Sequence, residues 1–156
     1  MVIAKKQTGT IFSKTLGCYV YVELSGDRLE SVDFRLSGEL KKLQITDDLE
    51  RYFSGKPVDF VKYDVCLEGF TPFEQAVLNE TRKIPCGDRI TYAELADRVK
   101  HPGAARAVGN ALSKNPVPIV VPCHRVVGKY NIGGYSQDIE IKKRLLKIEC
   151  LYSRDS

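Results

Sequence analysis

Three consecutive residues, Cys123-His124-Arg125, combine side chains that covalent chemistry commonly uses. A cysteine attacks as its thiolate, and a neighbouring base or cation favours that form and could lower the thiol pKa. The triplet ends the run Asn115-Pro116-Val117-Pro118-Ile119-Val120-Val121-Pro122. Its three prolines exclude a helix interior or a central strand. The expectation is a stiff, extended, apolar segment that positions the triplet. Side chains adjacent in sequence do not share a face of a helix or strand. His124 would therefore reach the Cys123 sulfur only through a bend or a bridging water. A lone buried cysteine commonly serves as a small hydrophobe, so residue types alone leave a reactive and a packing Cys123 level.

The elements that must carry this segment lie just before it. Thr71-Pro72-Phe73-Glu74 reads as a capping box with proline at the first helical position. Thr91-Tyr92-Ala93-Glu94 reads as a second one, opening a short helix that His101-Pro102-Gly103 breaks. A further helix is expected over 104–113, ending before Asn115-Pro116. Two short helices joined by a tight, glycine-containing turn predict a helix-turn-helix. The second helix is built from small residues (Ala104, Ala105, Ala107, Gly109, Asn110 and Ala111) around a single Arg106. Such a helix can approach another surface closely, although alanine more often packs into its own core. Gly109 favours close approach, because glycine inside a helix costs about 1 kcal/mol relative to alanine.

Upstream, residues 10–36 read as strands, with Cys18–Leu24 rich in β-formers and a hairpin turn at Ser25-Gly26-Asp27. Thr46-Asp47-Asp48 is expected to cap a short helix through Leu49, Tyr52 and Phe53 that stops at Gly55 and Pro57. On the last helix, Lys142, Lys143, Arg144 and Lys147 read as a solvated face opposite Ile141, Leu145, Leu146 and Ile148.

The chain has 156 residues, 43% of them hydrophobic and 28% charged, which suits a globular protein of one or two domains. Its net charge of +4 is modest and proves no partner. The distribution says more: no Asp or Glu falls between Arg98 and Gln137, while Arg98, Lys100, Arg106, Lys114, Arg125 and Lys129 do. A one-sign stretch suits a polyanion such as the DNA backbone, although on charge alone a solvated face is the slightly simpler reading. The five cysteines are irregularly spaced with no CxxC pair, and the only histidines are His101 and His124. A zinc site is poorly supported. Met1–Lys6 carries no signal-peptide core and no apolar run approaches a membrane span. The expectation is a cytoplasmic protein with free thiols, away from membranes.

Taken together, Pro122-Cys123-His124-Arg125-Val126, the preceding Asn115-Pro116-Val117-Pro118, Thr91-Tyr92, Ala105-Arg106-Ala107-Val108-Gly109, Gly134-Tyr135-Ser136 and Glu149 resemble the O6-alkylguanine-DNA alkyltransferases. The match runs from about Thr71 to Glu149 in order and spacing, which makes it far more specific than a short motif. The resemblance implies an α+β fold: a ribonuclease-H-like N-terminal α/β domain over 1–67, and a mainly helical, winged-helix-like domain over 68–156. It implies a single-turnover transfer of an alkyl group from O6-alkylguanine, or O4-alkylthymine, to Cys123. The partner implied is duplex DNA carrying alkylated guanine, bound in the minor groove by a monomer without a cofactor.

The resemblance also distributes roles. His124 would take the Cys123 proton through water, polarised by Glu149; Asn115 would fix the active-site turn; Tyr92 would donate to the guanine ring. Ser136 and the Val126 and Cys123 carbonyls would hold the base between Tyr135 and Pro118. Arg106 would fill the space left by the extruded base, with Ala105, Gly109, Arg125 and Lys114 also at the DNA. Some members hold zinc in the N-terminal domain; here that part offers only Cys18 and Cys66 and no histidine, so no metal is carried over.

Rival readings differ in what they leave unexplained. A damage-recognition module related to this family lacks the cysteine, which is present here. A cysteine hydrolase would want an oxyanion hole and a separate histidine, and His101, beside Pro102, reads as a surface residue. A transcriptional helix-turn-helix protein leaves the Pro-Cys-His-Arg run without a purpose.

Overall fold

The computed structural model describes residues 3–152, so the first two residues of the Met1–Lys6 start lie outside it. The chain divides into two compact units, Met1–Cys66 and Leu67–Ser156. The first holds ten basic and ten acidic residues, the second fourteen and ten, so the whole net positive charge sits in the second.

The first unit is built on an antiparallel meander of β1 (Lys6–Ser13), β2 (Cys18–Ser25) and β3 (Arg28–Arg35), with the short β4 (Asp64–Val65) parallel to β3. Alternation makes β2 legible: Cys18, Val20, Val22 and Leu24 are buried while the residues between them are half-exposed. Each such valine contributes about 1.5–3 kcal/mol by leaving water. Gly26, at φ 61°, takes the first corner of the two-residue hairpin turn, a position that favours glycine.

Helix α1 (Gln44–Phe53) lies against β1 and buries Ile45, Leu49 and Tyr52. Thr46 does not start it. The helix begins after Leu43, and Thr46, already in its first turn, accepts the Leu43 N–H on its hydroxyl at 2.7 Å. The threonine thus satisfies the cap from inside the helix. Two residues on, the buried Asp48 carboxylate accepts the Tyr63 hydroxyl and pairs with the Lys62 ammonium at 2.8 Å.

The second unit contains α2 (Pro72–Thr81), β5 (Ile90–Thr91), α3 (Tyr92–Arg98), α4 (Ala105–Ser113), a 3₁₀ turn at Cys123–Arg125, β6 (Val126–Val127) and α5 (Ile139–Tyr152). Helices α2, α3 and α4 pack on one another, and α5 packs on the 3₁₀ turn. Val77, Leu78, Leu95, Val108, Val117, Val121 and Leu145 form the core among them.

Thr91 makes a complete capping box, accepting the Glu94 N–H at 3.1 Å while Glu94 accepts the Thr91 N–H at 2.6 Å. Thr71 makes only half of one: its hydroxyl accepts the Glu74 N–H, but the Glu74 carboxylate takes Lys114 at 3.1 Å. β5 runs parallel to β6, pairing Ile90 with Val126 and Thr91 with Val127. That small ladder fixes the start of α3, and so Tyr92, beside the Cys123 turn.

Candidate active site

The proline-rich run is a folded loop, not the expected extended rod. Val121 N–H reaches back to Val117 O at 2.9 Å, and Pro118 bridges to Val121. Ile119 is held at φ 75°, a left-handed conformation that costs a β-branched residue about 1–3 kcal/mol. It is fully buried, so the surrounding packing sustains the strain. Proline limits the backbone at its own position but does not forbid a turn between prolines.

Asn115 organises the loop. Its side-chain N–H groups donate to Val121 O at 2.8 Å and to the Cys123 Sγ at 3.1 Å, and its Oδ1 accepts the Val117 N–H at 3.0 Å. One side chain therefore closes the turn and holds the sulfur. Burial pushes the Cys123 thiol above its ordinary pKa, opposed by the Asn115 amide, the Lys142 charge and the N–H groups of Cys123 and His124. The expected lowering by His124 and Arg125 does not occur, because both side chains turn to another partner.

That partner is Glu149 of α5. His124 Nε2 bonds to one carboxylate oxygen, and Arg125 Nε donates to the other at 2.7 Å. Arg125 also donates to Ile84 O at 2.6 Å. All three side chains are buried. Burial alone would raise the Glu149 carboxyl, but His124 and Arg125 overcome it and hold it well below the usual carboxylate range. Burial lowers the His124 pKa despite the attraction of Glu149, so the imidazole is neutral and donates to the carboxylate. Arg125 was expected at the DNA surface; it is instead the buried counter-ion of Glu149. Beside them, burial and the Glu149 charge push the Cys86 thiol up to about 12.

Lys142 corrects the reading of α5. It is fully buried, and its Nζ donates to Val126 O at 2.7 Å and Gly134 O at 2.9 Å. Burial lowers its pKa to about 8. It clips the strand after the cysteine to the loop that follows. The signal was available: Lys142, Leu145, Leu146 and Glu149 follow the i, i+3, i+4, i+7 spacing of one helix face. Two charged residues on an apolar face indicate a buried polar pair of roles, not a solvated stripe. Replacing Lys142 with Met should slow the reaction of Cys123 with its substrate about a hundredfold by letting that loop drift. Stability should change little, since removing a buried charge offsets two carbonyls left without their donor. Single-turnover rates and urea unfolding check both halves; an unchanged rate defeats the clip role.

Cys123 opens onto a cavity of about 340 Å³ lined by Tyr92, Gly109, Leu112, Ser113, Cys123, Gly134, Tyr135 and Ser136. Burial raises the pKa of both tyrosines, so their hydroxyls stay protonated. Tyr92 accepts the Gly134 N–H, and the Tyr135 hydroxyl is buried with no hydrogen-bond partner among the described residues. A buried donor without a partner is costly unless a ligand supplies one. Pro118 and Val126 are buried and do not line this cavity, and the carbonyls of Val126 and Cys123 already accept Lys142 Nζ and the Val126 N–H. Leu112 and Ser113 line the cavity but were not singled out in the sequence, because a helix's inward face is set by its packing partners.

On α4, Arg106, Ala107 and Asn110 are exposed while Ala105 and Gly109 are half-buried. Lys114 is exposed but engaged with Glu74. His101 is exposed, its ring edge-on to Phe73 at 5.1 Å.

Residues 72–151 match the family profile described as 6-O-methylguanine DNA methyltransferase, DNA binding domain. A probable methylated-DNA–protein-cysteine methyltransferase of Acanthamoeba polyphaga mimivirus is 42% identical over 123 residues, 78% of this chain and 82% of that protein. A methylated-DNA–protein-cysteine methyltransferase of Methanosarcina mazei is 45% identical over 109 residues, 68% of this chain and 66% of that protein. The crystal structure of Mycobacterium tuberculosis O6-methylguanine methyltransferase superposes with a TM-score of 0.77 at 32% identity, over 94% of this chain and 93% of that one. The same organism's OGT in complex with DNA gives 0.78 at 33% identity, over 92% of each chain. The chain belongs to the 6-O-methylguanine DNA methyltransferase family.

Proposed function

We propose that this protein repairs DNA directly, moving an alkyl group from O6 of guanine onto the sulfur of Cys123, once per molecule. The observation that carries the reading is a buried cysteine sulfur, held by Asn115, at a cavity lined by two tyrosines whose hydroxyls stay protonated. The cavity volume lies in the range of small-ligand pockets.

The transfer balances without an outside reagent. The sulfur attacks the alkyl carbon, the carbon–O6 bond breaks, and the electron pair passes into the guanine ring. His124 takes the thiol proton through water, with Glu149 polarising it, and a proton reaches the base nitrogen that has gained charge. Tyr92 donates there as the base leaves. Tyr135 offers its unpartnered hydroxyl to the base, and Ser136 contacts the O6 side. No cofactor or metal enters. The product is a thioether, with no carbonyl for water to attack, so the protein is spent.

O6 of a paired guanine is inaccessible to a protein sulfur, so the nucleotide must leave the stack at a cost of a few kcal/mol. α3 and α4 act as a helix-turn-helix whose second helix enters the minor groove. The exposed Arg106 fills the vacated space, and small residues at Ala105 and Gly109 allow close approach. Lys114 meets the phosphates once Glu74 gives way. The three antiparallel strands with a parallel fourth support a ribonuclease-H-like first domain, and the β5–β6 ladder that brackets the two helices supports a winged-helix-like second. Each molecule holds one complete site and acts as a monomer, and free thiols suit the cytoplasm.

The test is intact mass after incubation with a duplex carrying one O6-methylguanine. The expected result is one methyl on the Cys123 peptide, saturating at one per protein. Tight binding without a mass gain would make this a damage-recognition module instead. Repeated turnover would point to a hydrolase.

A further inference from the structure

Helix α4 and the lysine that ends it expose Arg106, Ala107, Asn110, Ser113 and Lys114. Ser113 and Lys114 are engaged: the Ser113 hydroxyl donates to Asn110 O at 2.6 Å, and Lys114 pairs with Glu74. The side chains of Arg106 and Asn110 have no hydrogen-bond or ion-pair partner among the described residues. Arg106 has a use in the space left by the extruded base. Asn110 has none so far. It stands inside the helix and caps neither end, and asparagine is less favourable there than the alanines around it.

Its position narrows what it could meet. Arg106, Asn110 and Ser113 follow an i, i+4, i+7 spacing and share one face of the helix. Asn110 lies about 6 Å along the axis from Arg106, while Ser113 and Gly109 line the cavity at Cys123. The amide thus stands between the side chain that fills the gap in the stack and the mouth of the cavity. With bases about 3.4 Å apart, it is within two steps of the extruded nucleotide.

The minor groove offers acceptors at every base pair, and only a G·C pair adds a donor, the 2-amino group of guanine. Arginine only donates, and the alanine and glycine side chains do neither. An asparagine amide does both. Its Oδ1 can accept from the 2-amino group while its Nδ2 donates to an acceptor beside it.

Building on the transfer and the minor-groove docking proposed above, we infer that Asn110 is a specificity-determining residue: it reads the base pair flanking the lesion and favours a guanine whose 2-amino group meets its amide. The transfer to Cys123 keeps its balance; what changes with the neighbouring pair is its rate.

The experiment compares single-turnover rates, below saturation, on duplexes that carry one O6-methylguanine and differ only in the flanking pair, on either side. In one set guanine is replaced by hypoxanthine, which pairs with cytosine but lacks the 2-amino group. In the other, adenine is replaced by 2,6-diaminopurine, which pairs with thymine and adds it. Losing the amino group weakens the flanking pair and so eases extrusion, which is opposite in sense to the expected effect. At the flank that the amide reaches, wild type should react about fivefold faster with the amino group present, in both sets, as one neutral hydrogen bond allows. Asn110→Ala, with a melting curve confirming that it folds, should erase that ratio. Equal wild-type rates with and without the amino group overturn the inference and leave the transferase reading intact. A preference that survives Asn110→Ala also overturns it. Methyl transfer from none of the duplexes is the failure of the transferase reading itself.

Discussion

In the free protein, iodoacetamide should alkylate Cys150 well before Cys123, yet a duplex carrying O6-methylguanine should methylate Cys123 alone. Cys123→Ser should leave no methylated peptide at all while still binding the lesion. Ordinary thiol reactivity follows exposure and thiolate content. Cys150 is exposed on α5, Cys18 and Cys123 are buried, and burial holds both Cys86 and Cys123 above the usual thiol range. By that measure Cys123 is a poor nucleophile. What sets it apart is its surroundings: the Asn115 amide on the sulfur, the Lys142 charge nearby and a cavity that can align an alkyl carbon. Alignment is worth far more than bulk reactivity, about 7–11 kcal/mol in well-oriented reactions. Serine keeps the shape but offers a hydroxyl far less acidic than a thiol, with no base beside it strong enough to compensate. Methylation of Cys150 or Cys86 by the lesion duplex, or transfer to the Cys123→Ser protein, would refute this assignment. Peptide mapping after each treatment decides it.

The features legible in the sequence are those whose physics is local. The Thr91 box depends on four consecutive residues, and β2 depends on its own alternation. Cys123, Tyr92, Tyr135 and Ser136 fall together because a specific family resemblance placed them, and the cavity joins them. What failed depends on direction or partners. Arg125 reads as a surface cation until α5 brings Glu149 against it. Lys142 reads as one of four solvated charges, although its helical face is that of Leu145. The proline run reads as rigid and extended because proline constrains φ at its own position, yet Ile119 between prolines adopts the left-handed turn. Gly109 reads as a residue for close approach, and the structure adds that its missing side chain also shapes the cavity.

The largest stability effect should come from Arg125. Its guanidinium and the Glu149 carboxylate are both buried, and removing one partner of such a pair costs about 3–5 kcal/mol because the other charge remains. Arg125→Ala should therefore lose that much in urea unfolding at pH 7, and with it the Ile84 carbonyl loses its donor. The acid behaviour follows from the same residues. Glu149 is held below the carboxylate range in the folded protein, so the unfolded chain takes up its proton first. Its contribution is complete above about pH 4.3 and is lost as pH falls towards the folded value. His124 acts in the same sense, since its folded pKa is depressed: its neutral burial is favoured above about pH 6.5 and opposed below. Wild type should thus weaken from near pH 6.5 downward and more steeply below about pH 4.3. Glu149→Gln should flatten the lower limb while slowing transfer, because the amide cannot hold a forming imidazolium as a carboxylate does. The pair's role fails if Arg125→Ala costs under about 1 kcal/mol, or if Glu149→Gln keeps the wild-type acid profile. Both results would mean that Glu149 is charged but not coupled to the fold, and that His124 is oriented by packing alone.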